Sequence, residues 1–137
     1  MVNIEDTLKT LDGFIDNEYL DKYLQIIRGC RRFRGRRGNT NRHHVIPKVW
    51  FKLQGMEVNN DPENLVTIEH REHALAHYYL CLCTYGKLKY ANEMALMLLL
   101  SQKRIGAQNK ALIMSLPLYK YIYDDLLENK NNNIKLY

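Results

Sequence analysis

Apolar side chains recur at three- and four-residue steps in several parts of the chain, which is the spacing of one face of a helix. The pattern predicts a helical part over 4–28 and a helix over about 67–85. Two more helices are predicted over about 88–104 and 108–128, where Leu, Met, Ile and Tyr dominate the repeating face. The polar residues that follow, 129–137, predict a frayed end.

Two short apolar runs do not have the helical spacing. The run HHVI (43–46) is followed by Pro47, and LVTI (65–68) follows a segment rich in turn-forming residues, GMEVNNDPEN (55–64). Short runs bounded by such residues are typical of strands. They predict a β-hairpin just ahead of the helix that begins near Thr67.

The predicted fold is therefore α+β and mostly helical. A chain of 137 residues with 46% hydrophobic residues is long enough for one domain with a core, and too short for two ordinary domains. The predicted parts of this single domain, 1–137, are an N-terminal helical part (4–28), a basic loop (29–42), a hairpin-and-helix core (43–85), two C-terminal helices (88–128) and a frayed tail (129–137).

Cysteine usage and hydropathy predict a soluble protein of a reducing compartment, the cytoplasm. The three cysteines form no CxxC pair. Cys81 and Cys83 point to different sides of the predicted helix and suit core packing better than metal binding. The N-terminus lacks the pattern of a signal peptide. The longest apolar run, 94–100, is far below the ~20 residues of a membrane span.

Positive charge is concentrated in one segment of the chain. The net charge is +5, and the stretch from Lys22 to Met56 contains ten Lys or Arg and no acidic residue. Such a block predicts a polyanionic partner, here DNA, although a solvated loop or an RNA-binding tail gives the same composition. The candidate DNA contacts are Arg31, Arg32, Arg34, Arg36, Arg37, Arg42 and Lys48. Arg42 and Lys48 are equally suited to protect an edge strand by their charge.

The five histidines fall into two groups. His73 and His77 lie four residues apart, so on a helix they share one face and can bind one metal ion. Two ordinary surface histidines would have the same spacing, and His70 is an alternative ligand. Side chains alternate along a strand, so His43 and His44 point to opposite faces. If the hairpin folds onto the helix, one of them can complete the metal site while the other accepts a proton from water.

Three segments in this order, HHVIPK, ENLVTI and REHALAH, resemble the motif of the HNH nucleases, the ββα-metal fold. The resemblance covers about residues 43–80. The flanking segments are similar to small HNH proteins of phage and bacterial genomes. The fold that this resemblance implies is a ββα-metal motif flanked by an N-terminal helix and two C-terminal helices.

The resemblance implies a role for each matched residue. His43, His73 and His77 would bind one divalent metal ion, and His44 would be the general base that deprotonates the attacking water. Asn64 would brace the loop between the strands through backbone hydrogen bonds. Many relatives have Asp or Glu in place of His43 and tend to use Mg. Three imidazoles favour Zn, Ni or Mn instead.

The implied activity is that of a metal-dependent endonuclease that hydrolyses DNA, encoded by a phage or a mobile element. Hydrolysis would leave 5′-phosphate and 3′-hydroxyl ends, and a homodimer would allow cuts in both strands. The main alternative is a nucleic-acid-binding module with a structural metal and no cleavage. A third reading is a helical interaction protein whose histidines are incidental.

Overall fold

The computed structural model describes residues 3–32 and 40–132. It is mostly helical with one two-stranded antiparallel sheet, which confirms the α+β prediction. In chain order the elements are α1 (Ile4–Thr7), α2 (Glu18–Arg32), β1 (Thr40–His44), α3 (Lys48–Leu53), β2 (Leu65–Glu69), α4 (His70–Leu82), α5 (Gly86–Leu100), α6 (Ala107–Met114) and α7 (Tyr119–Asn132), with 3-10 turns at Leu8–Thr10, Pro62–Asn64 and Lys103–Ile105.

The hairpin places β1 directly beside the start of α4. In the antiparallel register His43 lies opposite Val66 and His44 opposite Leu65. The second predicted strand is confirmed, and α4 follows it without a loop. The first strand was predicted over 43–46 but ends at His44. The amide of Val45 still donates to the carbonyl oxygen of Asn64 at 2.9 Å, but the next amide, that of Ile46, donates to the side chain of Asn64 instead of to a backbone carbonyl.

The predicted helical part 4–28 is not continuous. Gly13 adopts a φ of 94°, and an added Cβ there would lie 2.9 Å from Leu88 Cδ2, so the chain can approach α5 only with glycine. α2 begins after Asn17, whose Oδ1 accepts the amides of Tyr19 and Leu20. This helix then continues to Arg32 and β1 begins at Thr40, so the predicted basic loop 29–42 was wrong over 29–32 and over 40–42.

Residues 48–53 form a helix that the sequence analysis treated as part of a loop. Phe51 is buried in the core, and Val49 and Trp50 pack against the same cluster. The indole Nε1 of Trp50 also donates to the carbonyl oxygen of Asp12 at 2.8 Å. Three consecutive side chains thus anchor α3, and its six residues are too few to display a helical period in the sequence.

The helix α4 contributes to two hydrophobic clusters. Ala76 and Leu80 pack with α2 and the hairpin, while Tyr78 and Cys81 pack with α5, α6 and α7. Both Cys81 and Cys83 are buried free thiols, as predicted for core residues. No helix within 3–32 and 40–132 is long and apolar enough to cross a membrane.

The C-terminal helices are shorter than predicted. α5 ends at Leu100, and the single helix predicted over 108–128 is two helices, α6 and α7. Pro117 lies between them, where the missing amide and the fixed φ of proline prevent a continuous helix.

Candidate metal centre

Three imidazoles from two elements meet at one point of the fold. His43 comes from β1, and His73 and His77 come from α4, one turn apart. One ring nitrogen of each lies within 4.8 Å of the others, so the cluster could hold a metal ion. His43 is only 4% exposed, and its ring centroid lies 5.1 Å from that of His73 and 5.4 Å from that of His77. The three histidines are those that the sequence predicted as ligands.

A buried tyrosine determines which nitrogen of His43 carries the proton. The hydroxyl of Tyr23 donates to the carbonyl oxygen of Val45 at 2.7 Å, so its oxygen is left to accept from His43 Nε2, 2.8 Å away. The proton of His43 is then on Nε2, and Nδ1 carries the lone pair. Metal-binding histidines are commonly oriented by such a partner on the other ring nitrogen.

Asn41 determines in the same way which nitrogen of His73 carries the proton. Its Oδ1 lies 3.2 Å from His73 Nδ1 and 2.8 Å from His70 Nδ1. With the proton of His73 on Nδ1, the lone pair is on Nε2, which faces Nε2 of His77 at 3.2 Å. Two lone pairs at this separation repel each other unless a proton or a cation lies between them.

Burial keeps all three imidazoles uncharged at neutral pH. It is the main cause that lowers the pKa of His43 well below its ordinary value, and that of His77 to about 3. Burial also lowers the pKa of His73 to about 4, helped by the charges of His70 and Arg104. Metal binding requires the neutral imidazole, so these groups need lose no proton to bind an ion at neutral pH.

The donors fit a divalent transition metal. Tetrahedral Zn–N bonds of about 2.0–2.1 Å place two ligand nitrogens ~3.3 Å apart, close to the 3.2 Å between His73 and His77. The other nitrogen of His77, Nδ1, is buried and has no hydrogen-bond partner among the described residues. Three imidazole donors with open coordination positions are typical of a catalytic site, whereas structural zinc sites use four protein ligands.

The cluster opens into a cleft of about 270 Å³. Besides the three histidines, the cleft is lined by His44, Arg42, Lys48 and, from α5, Asn92. His44 Nε2 lies 2.7 Å from Asn60 Oδ1, an acceptor, so in the neutral form of His44 the proton is on Nε2 and Nδ1 carries the lone pair. A neutral imidazole of this kind can accept a proton beside the candidate metal position.

Asn64 is fully buried at the end of the loop that joins the two strands. Its Oδ1 accepts the amide of Ile46 at 2.8 Å, and its Nδ2 donates to the carbonyl oxygens of Ile46 and Asn59. Its carboxamide therefore ties the residues just after His44 to the loop that carries Asn60.

The described part of the chain places four of the seven predicted basic residues, in three different settings. Arg42 and Lys48 line the cleft beside the histidines. Arg31 binds Glu5 through two nitrogens, at 2.8 and 3.0 Å, and also donates to the carbonyl oxygen of Glu63. Its guanidinium thus joins α1, α2 and the hairpin loop. Arg32 is exposed at the last residue of α2. The remaining candidates lie outside the described residues: Arg34, Arg36 and Arg37.

Several residues of the site were missed by the sequence analysis. Asn41 is two residues before His43, so strand alternation alone places it on the same face, and this signal could have found it. Tyr23 and Asn60 reach the histidines from other segments and have no sequence signal. Arg104 acts on His73 from the 3-10 turn before α6.

The fold and the site together describe an α+β protein with a three-histidine cluster that could hold a metal ion. Comparison of the chain with protein-family models, with curated proteins and with solved structures finds no match.

Proposed function

We propose that this protein is a metal-dependent HNH endonuclease that hydrolyses phosphodiester bonds of DNA. The observation that carries the proposal is the cleft in which a fourth histidine, His44, stands beside the His43, His73 and His77 cluster and is held through Nε2 by Asn60. Three ligands and an adjacent base are the parts that metal-assisted hydrolysis requires.

His43, His73 and His77 would hold one divalent ion, with Zn, Ni or Mn favoured over Mg by the three imidazole donors. When bound, the ion would polarise the scissile phosphate and stabilise the leaving 3′ oxygen. Tyr23 and Asn41 orient two of these ligands before any ion arrives, which reduces the cost of ordering them.

His44 would accept the proton of the attacking water at Nδ1. Its other nitrogen is held by Asn60, and the carboxamide of Asn64 holds the backbone that follows. Both contacts restrict the ring to one orientation, which is the condition for efficient general-base catalysis. Bond cleavage would leave a 5′-phosphate and a 3′-hydroxyl.

Arg42 and Lys48 would bind phosphate oxygens of DNA from within the same cleft. Arg31 is occupied by Glu5, so phosphate binding rests on the other basic residues. If about six of them bind, the logarithm of affinity should fall with the logarithm of salt concentration with a slope near roughly −5.

The first experiment is a plasmid cleavage assay with wild type and His44→Ala. Each protein is treated with EDTA and then given Mg²⁺, Mn²⁺, Ni²⁺ or Zn²⁺. We expect metal-dependent cleavage by wild type. Because a general base contributes about 10²–10⁴-fold, the variant should lose activity on that scale. It should still bind the ion, since His44 is not among the three clustered nitrogens.

Imidazole added to His44→Ala distinguishes a lost base from a damaged fold. A small base that enters the vacated space should restore part of the activity, whereas a misfolded variant gains nothing. Normal cleavage by His44→Ala would contradict the assignment of the base. If wild type binds metal and DNA but none of the ions supports cleavage, the binding module is favoured instead.

A further inference from the structure

A second cleft lies at the beginning of α4. It has a volume of about 510 Å³ and lies between the beginning of α4 and the segment that leads into α6. Its walls are residues 69–71 and 104–109. The sequence analysis did not connect these segments, which are more than thirty residues apart in the chain.

Two arginines give this cleft its charge. Arg71 and Arg104 both line it and are both exposed. Nε of Arg104 donates to Gln102 Oε1 at 3.0 Å, which orients the planar guanidinium. One carboxylate, Glu69, also lines the cleft, so the two arginines and His70 face a single acidic group. Arginine is the side chain best suited to grip phosphate oxygens.

The backbone adds donors at the same place. Neither α4 nor α6 has a side-chain hydrogen bond at its N-cap, and both helices begin at this cleft. The N-cap of α6 is Gly106, with a φ of 86° and no atom within 4 Å of an added Cβ, so the backbone here is open to a ligand. The amides at the start of a helix favour an anion, and here they supplement the arginines.

The cleft adjoins the metal centre directly. Asn41 Oδ1 accepts from His70, which lines the cleft, and from His73, which belongs to the metal cluster. Arg104 is close enough for its charge to act on the His73 imidazole. Basic side chains therefore line both clefts at the histidine cluster, Arg42 and Lys48 in the first and Arg71 and Arg104 in the second.

We infer that this second cleft, through Arg71 and Arg104, binds a phosphate of the DNA backbone that flanks the scissile one. The inference rests on the proposed nuclease function and assigns a substrate contact to residues 69–71 and 104–109. A DNA strand bound in both clefts would be positioned at the candidate metal site. Phosphate contacts set the register of a nucleic acid in this way.

DNA binding by the metal-loaded His44→Ala protein tests the inference, because this background separates binding from cleavage. The probe is a short mixed-sequence DNA duplex, titrated at several salt concentrations between about 50 and 200 mM. Arg104→Gln and Arg71→Gln/Arg104→Gln are compared with charge-matched controls, Lys9→Gln and Lys9→Gln/Lys120→Gln, whose exposed lysines line neither cleft.

Loss of one phosphate contact should reduce the magnitude of the log–log salt slope by about 0.9 and weaken binding about five-fold at ~0.15 M salt. We expect this in the double arginine variant and unchanged slopes in the lysine controls. Equal slopes in the arginine and lysine variants would overturn the inference while leaving the nuclease proposal intact. Wild type that neither binds nor cleaves duplex DNA with any ion would overturn both.

Discussion

The histidine cluster and a second, partly buried polar cluster are held together in different ways. In the second cluster, Lys89 of α5 lies 3.1 Å from Glu93 and 2.7 Å from Asp125 of α7. The ammonium also contacts the hydroxyl of Tyr121 at 3.2 Å and lies over its ring. The ammonium of Lys89 thus meets the carboxylate of Asp125 within the chain and joins α5 to α7.

In the histidine cluster, the inward-facing nitrogens of His73 and His77 have only each other as partners, Nε2 to Nε2 at 3.2 Å. Tyr23 and Asn41 satisfy the outer nitrogens of His43 and His73, whereas Nδ1 of His77 has no hydrogen-bond partner among the described residues. A cluster of neutral imidazoles of this kind could hold a cation from outside the chain. The two clusters therefore differ in charge: Lys89 supplies a cation to the acidic groups of the second cluster, whereas three neutral imidazoles meet in the first with no cation between them among the described residues.

The largest expected effect is the loss of metal binding in His73→Ala. In wild type, an ion at 100 times its Kd should raise the free energy of unfolding by about 2.7 kcal/mol. His73→Ala should show no such increase, because two imidazoles and solvent replace a three-nitrogen site. The matched variant from the other cluster, Lys89→Met, should unfold more easily but keep the metal-dependent increase. Unfolding with and without Zn²⁺ measures both, and equal stabilisation of all three proteins would contradict the metal assignment.

A smaller effect is expected from the residue that orients His43. Tyr23→Phe removes the oxygen that accepts from His43 Nε2, and loss of such an outer partner commonly weakens metal binding about 10–100-fold. Tyr19→Phe is the control, since Tyr19 lies on the same helix and stacks on Tyr79 away from the cluster. Competition with a chelator of known affinity gives the Kd of each protein. An unchanged Kd in Tyr23→Phe would show that the tyrosine does not orient the ligand.

A third expected effect concerns the pH dependence of the second cluster. Burial, followed by the hydrogen bond with Asp125, raises the pKa of Glu93 to about 8 from an ordinary value of 4.5. The folded state therefore holds this proton more tightly than the unfolded state. Its contribution to stability is fully present below pH 4.5 and is lost as the pH rises through about 8.

Glu93→Gln has no proton to lose, so it should remove this part of the pH dependence. The difference in Tm between the variant and wild type should shift in favour of the variant as the pH is raised from 5 towards 9. Thermal unfolding across this range measures it, and two parallel curves would mean that Glu93 is ionised in the folded protein at neutral pH.

Much of the site could be predicted because its spacing is local. Residues four apart on a helix share a face, which placed His73 with His77, and alternation along a strand separated His43 from His44. The second strand and the existence of α4 followed from their residue patterns. The predictions that were wrong concern the ends of helices and short elements. α2 extends to Arg32, α3 was not predicted, and the single helix predicted over 108–128 is two helices, α6 and α7. Helix ends depend on caps and packing that local propensity does not contain.

The sequence by itself determined the periodicities, the segregated positive charge and the identities of the three clustered histidines. Only the tertiary structure decided that Tyr23 and Asn41 orient two of those ligands, that Arg31 is bound by Glu5, and that Arg104 stands beside His73. The physical reason is that a hydrogen bond or charge contact between distant segments depends on how their elements dock. Docking is decided by the packing of the whole core, and no local spacing encodes it.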